Sequence, residues 1–320
     1  MTDAIRTQAL TKRFGDARNG YTIAVDGLTL TVGEGEIFGL VGPDGAGKTT
    51  TMRLLTSIME PTSGDAWVAG YHVVKDAEAI KEQIGYVSQR FGLYADLTVM
   101  ENINFYADIY GVPRQGRREK IDRLLEFSNM APFRKRLAGN LSGGMKQKLG
   151  LACALIHTPR IFFLDEPTIG VDPVSRRDFW RILYQLVHEK VTIFVSTSYL
   201  DEAERCNRLG LLERGRLLAY GSPDEVKQML RGIIIEIRPS DARKAAGVLR
   251  SKLPPDTVGL FGDRVHVMAP DAGMVGEIKA LLAGAGLKIL GIRIIEPGLE
   301  DVFVSVVREQ ARQQEGGSGA

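Results

Sequence analysis

The nine residues from position 42 to 50, GPDGAGKTT, constrain the fold more than any other part of the chain. The apolar run at 37–41 precedes them and predicts a buried strand, and the run at 52–58 after them predicts a helix. A strand, a glycine-rich turn and a helix in this order are the context in which G-x-x-x-x-G-K-[ST] forms a phosphate-binding loop. The sequence therefore predicts an α/β protein built around a nucleotide-binding strand–loop–helix unit.

The chemistry of this loop follows from its residue types. Glycines let backbone N–H groups converge on phosphate oxygens, and the helix N-terminus adds partial positive charge. Lys48 is predicted to reach the β- and γ-phosphates of a nucleotide, and Thr49 to place its hydroxyl on Mg²⁺. The alternative is a connecting turn with a solvated lysine. The predicted nucleotide-binding residues of the loop are Gly42, Pro43, Asp44, Gly45, Ala46, Gly47, Lys48, Thr49 and Thr50.

Length and composition narrow the class of protein. A chain of 320 residues is long enough for two domains. A net charge of only +2 gives no support for a nucleic-acid partner. The two cysteines, Cys153 and Cys206, lack metal-ligand spacing, and no apolar run approaches the ~20 residues that span a bilayer. We expect a soluble protein of a reducing cytosol.

The order of apolar and polar runs predicts two domains. Short β-like runs fill residues 5–32, and helical patterns dominate 96–156. Strands at 160–165 and 191–197 flank a helix at 173–188, which indicates a mostly parallel sheet. Strands at 233–238, 265–268 and 287–295 and helices at 242–253 and 274–284 then predict a small domain of β-α-β-α-β order. The predicted divisions are an ATP-binding domain at 1–231 with a helical part at about 91–157, a small α+β domain at 232–308 and a disordered tail at 309–320.

A second motif, IFFLDEP at 161–167, ends an apolar strand with two acids. Open α/β sheets bind their ligands at the carboxyl ends of their strands. We expect Asp165 to hold Mg²⁺, directly or through water, and Glu166 to polarise the attacking water. The alternative, a strand that ends in a solvated acidic turn, is weakened by the phosphate loop upstream.

A third motif, LSGG at 141–144, opens a helix. The Ser142 hydroxyl and the N–H groups of Gly143 and Gly144 can form an anion site at that helix N-terminus. An ordinary helix N-cap is the alternative, because Ser-Gly-Gly alone is a weak signal.

Together these motifs resemble the nucleotide-binding subunit of ATP-binding cassette (ABC) transporters, over about residues 5–231. The resemblance implies a cassette with a mixed core sheet, an antiparallel β-subdomain and a helical subdomain. It also implies a head-to-tail dimer in which the signature of one subunit, Ser142 to Gly144, completes the ATP site of the other. Gln89 matches the glutamine loop, which contacts Mg²⁺ and water, and Asp172 matches the D-loop that faces the opposite site. Phe14 falls where an aromatic ring stacks on adenine, with Tyr21 as a competitor.

The finer resemblance is to ABC-2 exporters of the daunorubicin-resistance type, through residues 91–102, 199–204 and 297–303. It implies ATP hydrolysis coupled to efflux of a drug-like or lipophilic substrate through a separate membrane permease. It further implies a location on the cytoplasmic face of the membrane. Aromatic residues after the glutamine loop are candidate anchors for that permease, or else pack within the helical arm: Phe91, Tyr94, Phe105 and Tyr106.

Two positions depart from the family pattern. Ser198 stands where most cassettes carry a histidine that contacts the γ-phosphate, and Asp44 stands where the family usually has Asn. Some double-cassette exporters resemble this chain at both positions in their first cassette, and their second cassette keeps the histidine. A weakened site in a heterodimer and a homodimer with two slow, Glu166-driven sites are therefore competing hypotheses.

Two other classes are less well supported. A cassette that acts on DNA would carry a long coiled coil between the phosphate loop and the signature, and one that acts on ribosomes would carry two cassettes. A purely regulatory nucleotide switch is disfavoured by Lys48, Asp165 and Glu166, which are all present.

Overall fold

The computed structural model describes residues 3–16, 20–89, 92–230, 232–254 and 257–307. Two compact units divide the chain, Met1–Leu217 and Leu218–Ala320. The predicted boundary at residue 231 stays a prediction, and the predicted disordered tail at 309–320 lies outside the described residues. No helix within the described ranges is long and apolar enough to cross a membrane.

The helices and strands up to the end of the central sheet are as follows. The strands are β1 (Asp3–Asp16), β2 (Gly20–Gly33), β3 (Ile37–Val41), β4 (Ser63–Val68), β5 (Tyr71–His72), β6 (Ile84–Val87), β7 (Ile161–Asp165), β8 (Thr192–Thr197), β9 (Arg208–Glu213) and β10 (Arg216–Gly221). The helices are α1 (Lys48–Leu55), α2 (Ala77–Gln83), α3 (Val99–Ile109), α4 (Arg117–Phe127), α5 (Gly143–Leu155), α6 (Pro173–His188) and α7 (Leu200–Ala203).

The central sheet has six strands in the order β10-β9-β3-β8-β7-β6. The pairs β3–β8, β3–β9, β7–β8 and β6–β7 are parallel, as the alternation of strands and helices predicts. Every residue of β3, β7 and β8 is buried, which suits strands covered on both faces. In the register, Val41 lies opposite Thr197 and Asp165 opposite Ser196, so the phosphate loop and the acidic pair leave the same edge of the sheet.

A second sheet is antiparallel and has the order β2-β1-β4-β5. The predicted β structure over 5–32 is confirmed, but the runs are longer than predicted, because β1 and β2 are each 14 residues long. The register of the β1–β2 pair shifts at several points, and these bulges interrupt the period-two pattern that reveals a strand in sequence.

The helical region has its own apolar core. Buried side chains of α3, α4 and α5 form one cluster, with Ile103, Leu125 and Leu149 fully buried at its centre. A capping box opens α3, since Thr98 and Glu101 exchange side-chain and backbone hydrogen bonds.

The predicted β-α-β-α-β order of the second unit is wrong, because the unit has a fourth strand. Its elements are α8 (Pro223–Gln228), β11 (Ile233–Pro239), α9 (Ala242–Arg250), β12 (Val258–Phe261), β13 (Arg264–Ala269), α10 (Met274–Gly284) and β14 (Ile289–Ile295), and residues 299–307 are helical. The prediction omits β12, because a four-residue run that contains a glycine shows too few alternations to be recognised. The sheet β12-β13-β11-β14 is antiparallel throughout, which is the ferredoxin-like β-α-β-β-α-β arrangement.

Candidate nucleotide-binding site

Two glycines of the phosphate loop are required by close backbone contacts. A Cβ atom on Gly42 would lie 2.1 Å from the carbonyl oxygen of Leu212, and one on Gly47 would lie 2.2 Å from that of Ala24. Gly47 also has a φ of +105°, which L side chains rarely adopt. Larger residues at either position would push the loop away from the sheet.

The loop leaves backbone donors for an anion. Within the described part of the chain, the N–H groups of Gly45 and Gly47 donate no hydrogen bond, and the N-cap Gly47 supplies no side chain to α1. Because the first N–H groups of a helix have no partner inside it, those of α1 are also available. This arrangement fits a phosphate group at the start of α1.

Lys48 is held between the loop and the acidic pair. Its Nζ donates to the carbonyl oxygens of Gly42 at 2.6 Å and Pro43 at 2.9 Å, and lies 2.9 Å from Glu166 Oε1. The Lys48 and Glu166 side chains are only 4% and 7% exposed. A lysine and an acid predicted separately, more than a hundred residues apart, therefore meet in one buried ion pair.

Asp165 lies at the centre of a second set of contacts. Its Oδ1 accepts hydrogen bonds from Thr49 Oγ1 at 3.1 Å and from Ser196 Oγ at 2.7 Å. Burial and the negative charge of Asp165 raise the pKa of Tyr86 to about 12, with Arg53 opposing them. The pair Thr49–Asp165 combines a hydroxyl with one carboxylate, which is the donor set that Mg²⁺ takes together with phosphate oxygens.

Glu166 reaches in a different direction from its neighbour. Its backbone is left-handed, with a φ of +49°, and its N–H donates to the Ser196 hydroxyl at 2.9 Å. Ser198 Oγ donates to Glu166 Oε2 at 3.4 Å, the long limit of a hydrogen bond. The structure thus brings Ser198 to Glu166, and the predicted catalytic role of Ser198 stays a prediction.

Other residues predicted for the site have fewer contacts. Gln89 and Asp44 are exposed, and among the described residues no hydrogen bond joins Gln89 to Thr49 or Asp165. Ala46 is buried, and Thr50 lies in the first turn of α1. Their predicted roles stay predictions.

The signature residues lie at the start of α5. Ser142 is the N-cap of this helix and accepts from the N–H of Met145 at 3.3 Å. A Cβ on Gly144 would lie 2.5 Å from the Cβ of Ser175. The backbone at the start of α5 therefore packs directly against a side chain at the start of α6. The described part of the chain shows no hydrogen bond from Ser142 or Gly143 to the phosphate loop.

Asp172 is the N-cap of α6. Its Oδ1 accepts from the N–H groups of Val174 at 3.1 Å and Ser175 at 2.9 Å. Hydrogen bonds from Ser175 lower the pKa of the exposed Asp172 carboxyl. These bonds favour the ionised carboxylate at the N-terminus of α6, where the helix dipole also favours a negative charge.

The two candidate adenine-stacking residues lie together near the end of the β1–β2 hairpin. Phe14 pairs with Thr22, and Tyr21 with Gly15. Both rings are exposed, and Lys12 Nζ lies 5.5 Å from the centre of the Phe14 ring. The geometry leaves both rings available to a base.

Three functional groups escaped sequence reasoning. Ser196 joins the ends of β7 and β8, Tyr86 lies beside Asp165, and Glu202 is a fully buried acid in α7. A hydroxyl inside an apolar strand was a signal for Ser196. Nothing in the acidic run at 201–204 distinguishes Glu202 from its exposed neighbours.

Comparison with known proteins decides the family. A sequence profile described as ABC transporter matches residues 25–169. The daunorubicin/doxorubicin resistance ATP-binding protein DrrA of Streptomyces peucetius is 35% identical over 317 residues, which are 97% of this chain and 94% of that protein. The chain belongs to the ABC transporter family.

Two further matches place the chain within this family. The probable multidrug ABC transporter ATP-binding protein YbhF of Escherichia coli (strain K12) is 42% identical over 310 residues, which are 96% of this chain. The chain spans only about half of that relative, 53% of its length. A solved ATP-binding subunit of an ABC transporter superposes with a TM-score of 0.62 at 27% identity, and covers 71% of this chain and 92% of that structure. The predicted P-loop ABC fold is confirmed.

Proposed function

We propose that this ABC family member binds ATP with Mg²⁺ and hydrolyses the bond between its β- and γ-phosphates to power export. The observation that carries the proposal is the convergence of Lys48, Glu166, Asp165 and Thr49 at one edge of the sheet, through contacts of 2.9 Å and 3.1 Å. Four side chains, two from the start of α1 and two from the end of β7 and the residue after it, meet where the loop leaves its N–H groups open. A purely structural turn needs none of them.

Each residue has a distinct role in the proposal. Lys48 leaves Glu166 and binds the β- and γ-phosphates, while Thr49 and Asp165, with Gln89, hold the metal. Mg²⁺ bound there would neutralise charge that develops on the phosphate oxygens. Glu166, released from Lys48, orients and polarises the attacking water. Phe14 or Tyr21 stacks on the adenine ring.

The proposed dimer is head to tail. Ser142, Gly143 and Gly144 lie at a helix N-terminus, where N–H groups can bind an anion, and Ser142 is exposed. We propose that they close the ATP site of a second cassette, and that Asp172 faces the same opposite site.

The proposed partner in the membrane is an ABC-2 type permease, with the chain on its cytoplasmic face. The resistance protein DrrA and the multidrug protein YbhF, both similar over nearly the whole of this chain, support efflux of a drug-like or lipophilic substrate. Tyr94 is exposed and available as an anchor, and its ring lies 4.5 Å from that of the half-buried Phe105. The fourth predicted anchor, Phe91, lies outside the described residues.

A second candidate is a weakly hydrolysing cassette in an asymmetric heterodimer. The observation that favours it is the 3.4 Å contact of Ser198 with Glu166, which is long for a group that must organise a reacting water. The part of YbhF that this chain does not span is nearly as long as the part that it spans, which leaves room for a second cassette in that relative.

ATPase assays of the purified chain test both candidates. The chain is measured alone and then mixed with a cassette encoded beside it, and each measurement is repeated with Glu166→Gln. Turnover by the chain alone that Glu166→Gln abolishes supports two working sites and argues against the asymmetric heterodimer. ATP binding without turnover, followed by turnover when the second cassette is added, supports the heterodimer. Failure to bind ATP at all rejects both.

A further inference from the structure

Glu202 is a fully buried acid in α7, with 0% of its surface exposed. Thr168 Oγ1 donates to its Oε1 at 2.6 Å, and Thr197 Oγ1 donates to its Oε2 at 2.8 Å. The Thr197 hydroxyl in turn accepts from the N–H of Tyr199 at 3.0 Å. A buried carboxylate is costly unless its oxygens are satisfied, so these two short bonds fix its orientation.

The two threonines stand next to the proposed catalytic pair. Thr168 follows Glu166 by two residues, and Thr197 directly precedes Ser198. Glu202 therefore ties the segment after β7 to the last residue of β8. Because the Ser198–Glu166 contact is 3.4 Å long, a displacement of a few tenths of an ångström decides whether that hydrogen bond exists.

Arg176 connects this link to the start of α6. Its Nε lies 3.6 Å from Glu202 Oε1, beyond hydrogen-bond distance, and no other acceptor takes that buried N–H among the residues that the structure describes. Its guanidinium lies 4.4 Å from the centre of the Tyr199 ring. The two groups thus form an ion pair without a hydrogen bond. A small movement of α6 towards Glu202 would bring them within hydrogen-bond distance.

The first turn of α6 also touches the signature helix. Ser175 lies against Gly144, and the turn is capped by Asp172. A shift of the α5 N-terminus would displace this turn, and Arg176 with it. A continuous set of contacts therefore runs from Gly144 through α6 to Glu202.

We propose that Glu202 is a positioning residue that sets the distance between Ser198 and Glu166. Arg176 makes that distance respond to movement at the start of α6. The inference rests on the proposed ATP hydrolysis, since the positioned groups are its catalytic pair. Neither Glu202 nor Arg176 contacts the phosphate loop in any described hydrogen bond or ion pair, so neither acts on nucleotide directly.

The first experiment separates positioning from general stability. In the full chain, Glu202→Ala is expected to lower kcat on the order of 10²-fold, the cost of misplacing a reacting group by about 1 Å, with the KM for ATP unchanged. Glu202→Gln keeps the length and one acceptor oxygen and is expected to restore most of the rate. Glu204→Gln, an exposed acid two residues away, is the matched control and is expected to match the wild type.

A double-mutant cycle and a structure complete the test. Glu202→Ala and Ser198→Ala are expected to be non-additive in kcat, because both act on one distance. A crystal structure of the nucleotide-free Glu202→Ala chain is expected to show Ser198 Oγ and Glu166 Oε2 farther apart than 3.4 Å. An unchanged separation, or additive effects with equal losses of kcat and nucleotide binding, overturns the inference. A wild-type chain that shows no turnover, either alone or with the second cassette, rejects the proposed function instead, and the crystallographic separation then still decides the role of Glu202.

Discussion

The Lys48 ammonium and the Glu166 carboxylate lie 2.9 Å apart with almost no exposed surface. Removal of one member of such a pair leaves a buried charge without its partner, whereas removal of both does not. We expect Lys48→Met to lower the free energy of unfolding of the nucleotide-free chain by about 3–5 kcal/mol. The double variant Lys48→Met, Glu166→Leu should recover most of that loss in urea denaturation.

The control for these stability measurements is the ion pair Lys81–Glu78, whose side chains are 51% and 86% exposed. Solvent screens an exposed pair, so Lys81→Met should cost no more than about 1 kcal/mol. Equal losses for the buried and the exposed pair would contradict the assignment of Lys48 and Glu166 as a desolvated ion pair.

Ser198→His should raise the rate of ATP hydrolysis. The serine hydroxyl reaches Glu166 only at 3.4 Å, and an imidazole is longer and adds a donor that can bear positive charge. One added donor to developing charge is worth up to about 10²–10³-fold in kcat. The measurement is steady-state turnover of the wild type, Ser198→His and Ser198→Ala. A histidine variant no faster than the wild type would show that residue 198 does not limit the rate.

Gly144→Ala should destabilise the first unit by about 1–3 kcal/mol, the usual range for an added methyl group in a packed contact. The new Cβ would lie 2.5 Å from Ser175 Cβ, and neither backbone can move without shifting α5 or α6. Gly143→Ala is the matched control, since its nearest neighbour, the Gly170 carbonyl oxygen, is 3.9 Å away. Urea unfolding of both variants checks the prediction, and similar stabilities would refute a tight contact at Gly144.

Glu236, on β11 of the second unit, should make stability depend on acid pH. The hydrogen bond from Arg293 and the contacts of Arg264 lower the pKa of Glu236 from 4.5 to about 2. A carboxyl whose folded pKa is lowered stabilises the fold above its unfolded value. That contribution is present above pH 4.5 and is lost as the pH falls from 4.5 towards 2. Between pH 4.5 and 2, the free energy of unfolding should fall more steeply with decreasing pH in the wild type than in Glu236→Gln. Equal slopes for the two proteins would contradict the prediction.

The sequence predicted what local patterns encode. The phosphate loop and the acidic pair each depend on residues adjacent in the chain, and both stand where the pattern places them. The parallel sheet followed from alternating strands and helices. The family resemblance, which rests on the same motifs, is confirmed by relatives such as DrrA.

Features set by distant contacts were not predictable. The bulges in the β1–β2 pair depend on how the two strands pair, and β12 pairs along its four residues with β13. Glu202 differs from Glu204 only in burial, a property that arises when α7 packs over the ends of β7 and β8. Gln89 and Ser142 carry motif signals, but their predicted partners belong to nucleotide or to another subunit.

The left-handed backbone at Glu166 makes the order of the two acids as important as their presence. Asp165 ends an extended strand and turns towards Thr49, whereas the positive φ of the next residue swings its side chain towards Lys48. A left-handed conformation costs a non-glycine residue roughly 1–2 kcal/mol, and here the Ser196 hydroxyl holds it in place. Two neighbouring carboxylates thereby avoid competing for the same cation. Reversal of the pair would preserve charge and composition. It would place the longer side chain next to Thr49 and the shorter one next to Lys48, so neither contact would form as it does now.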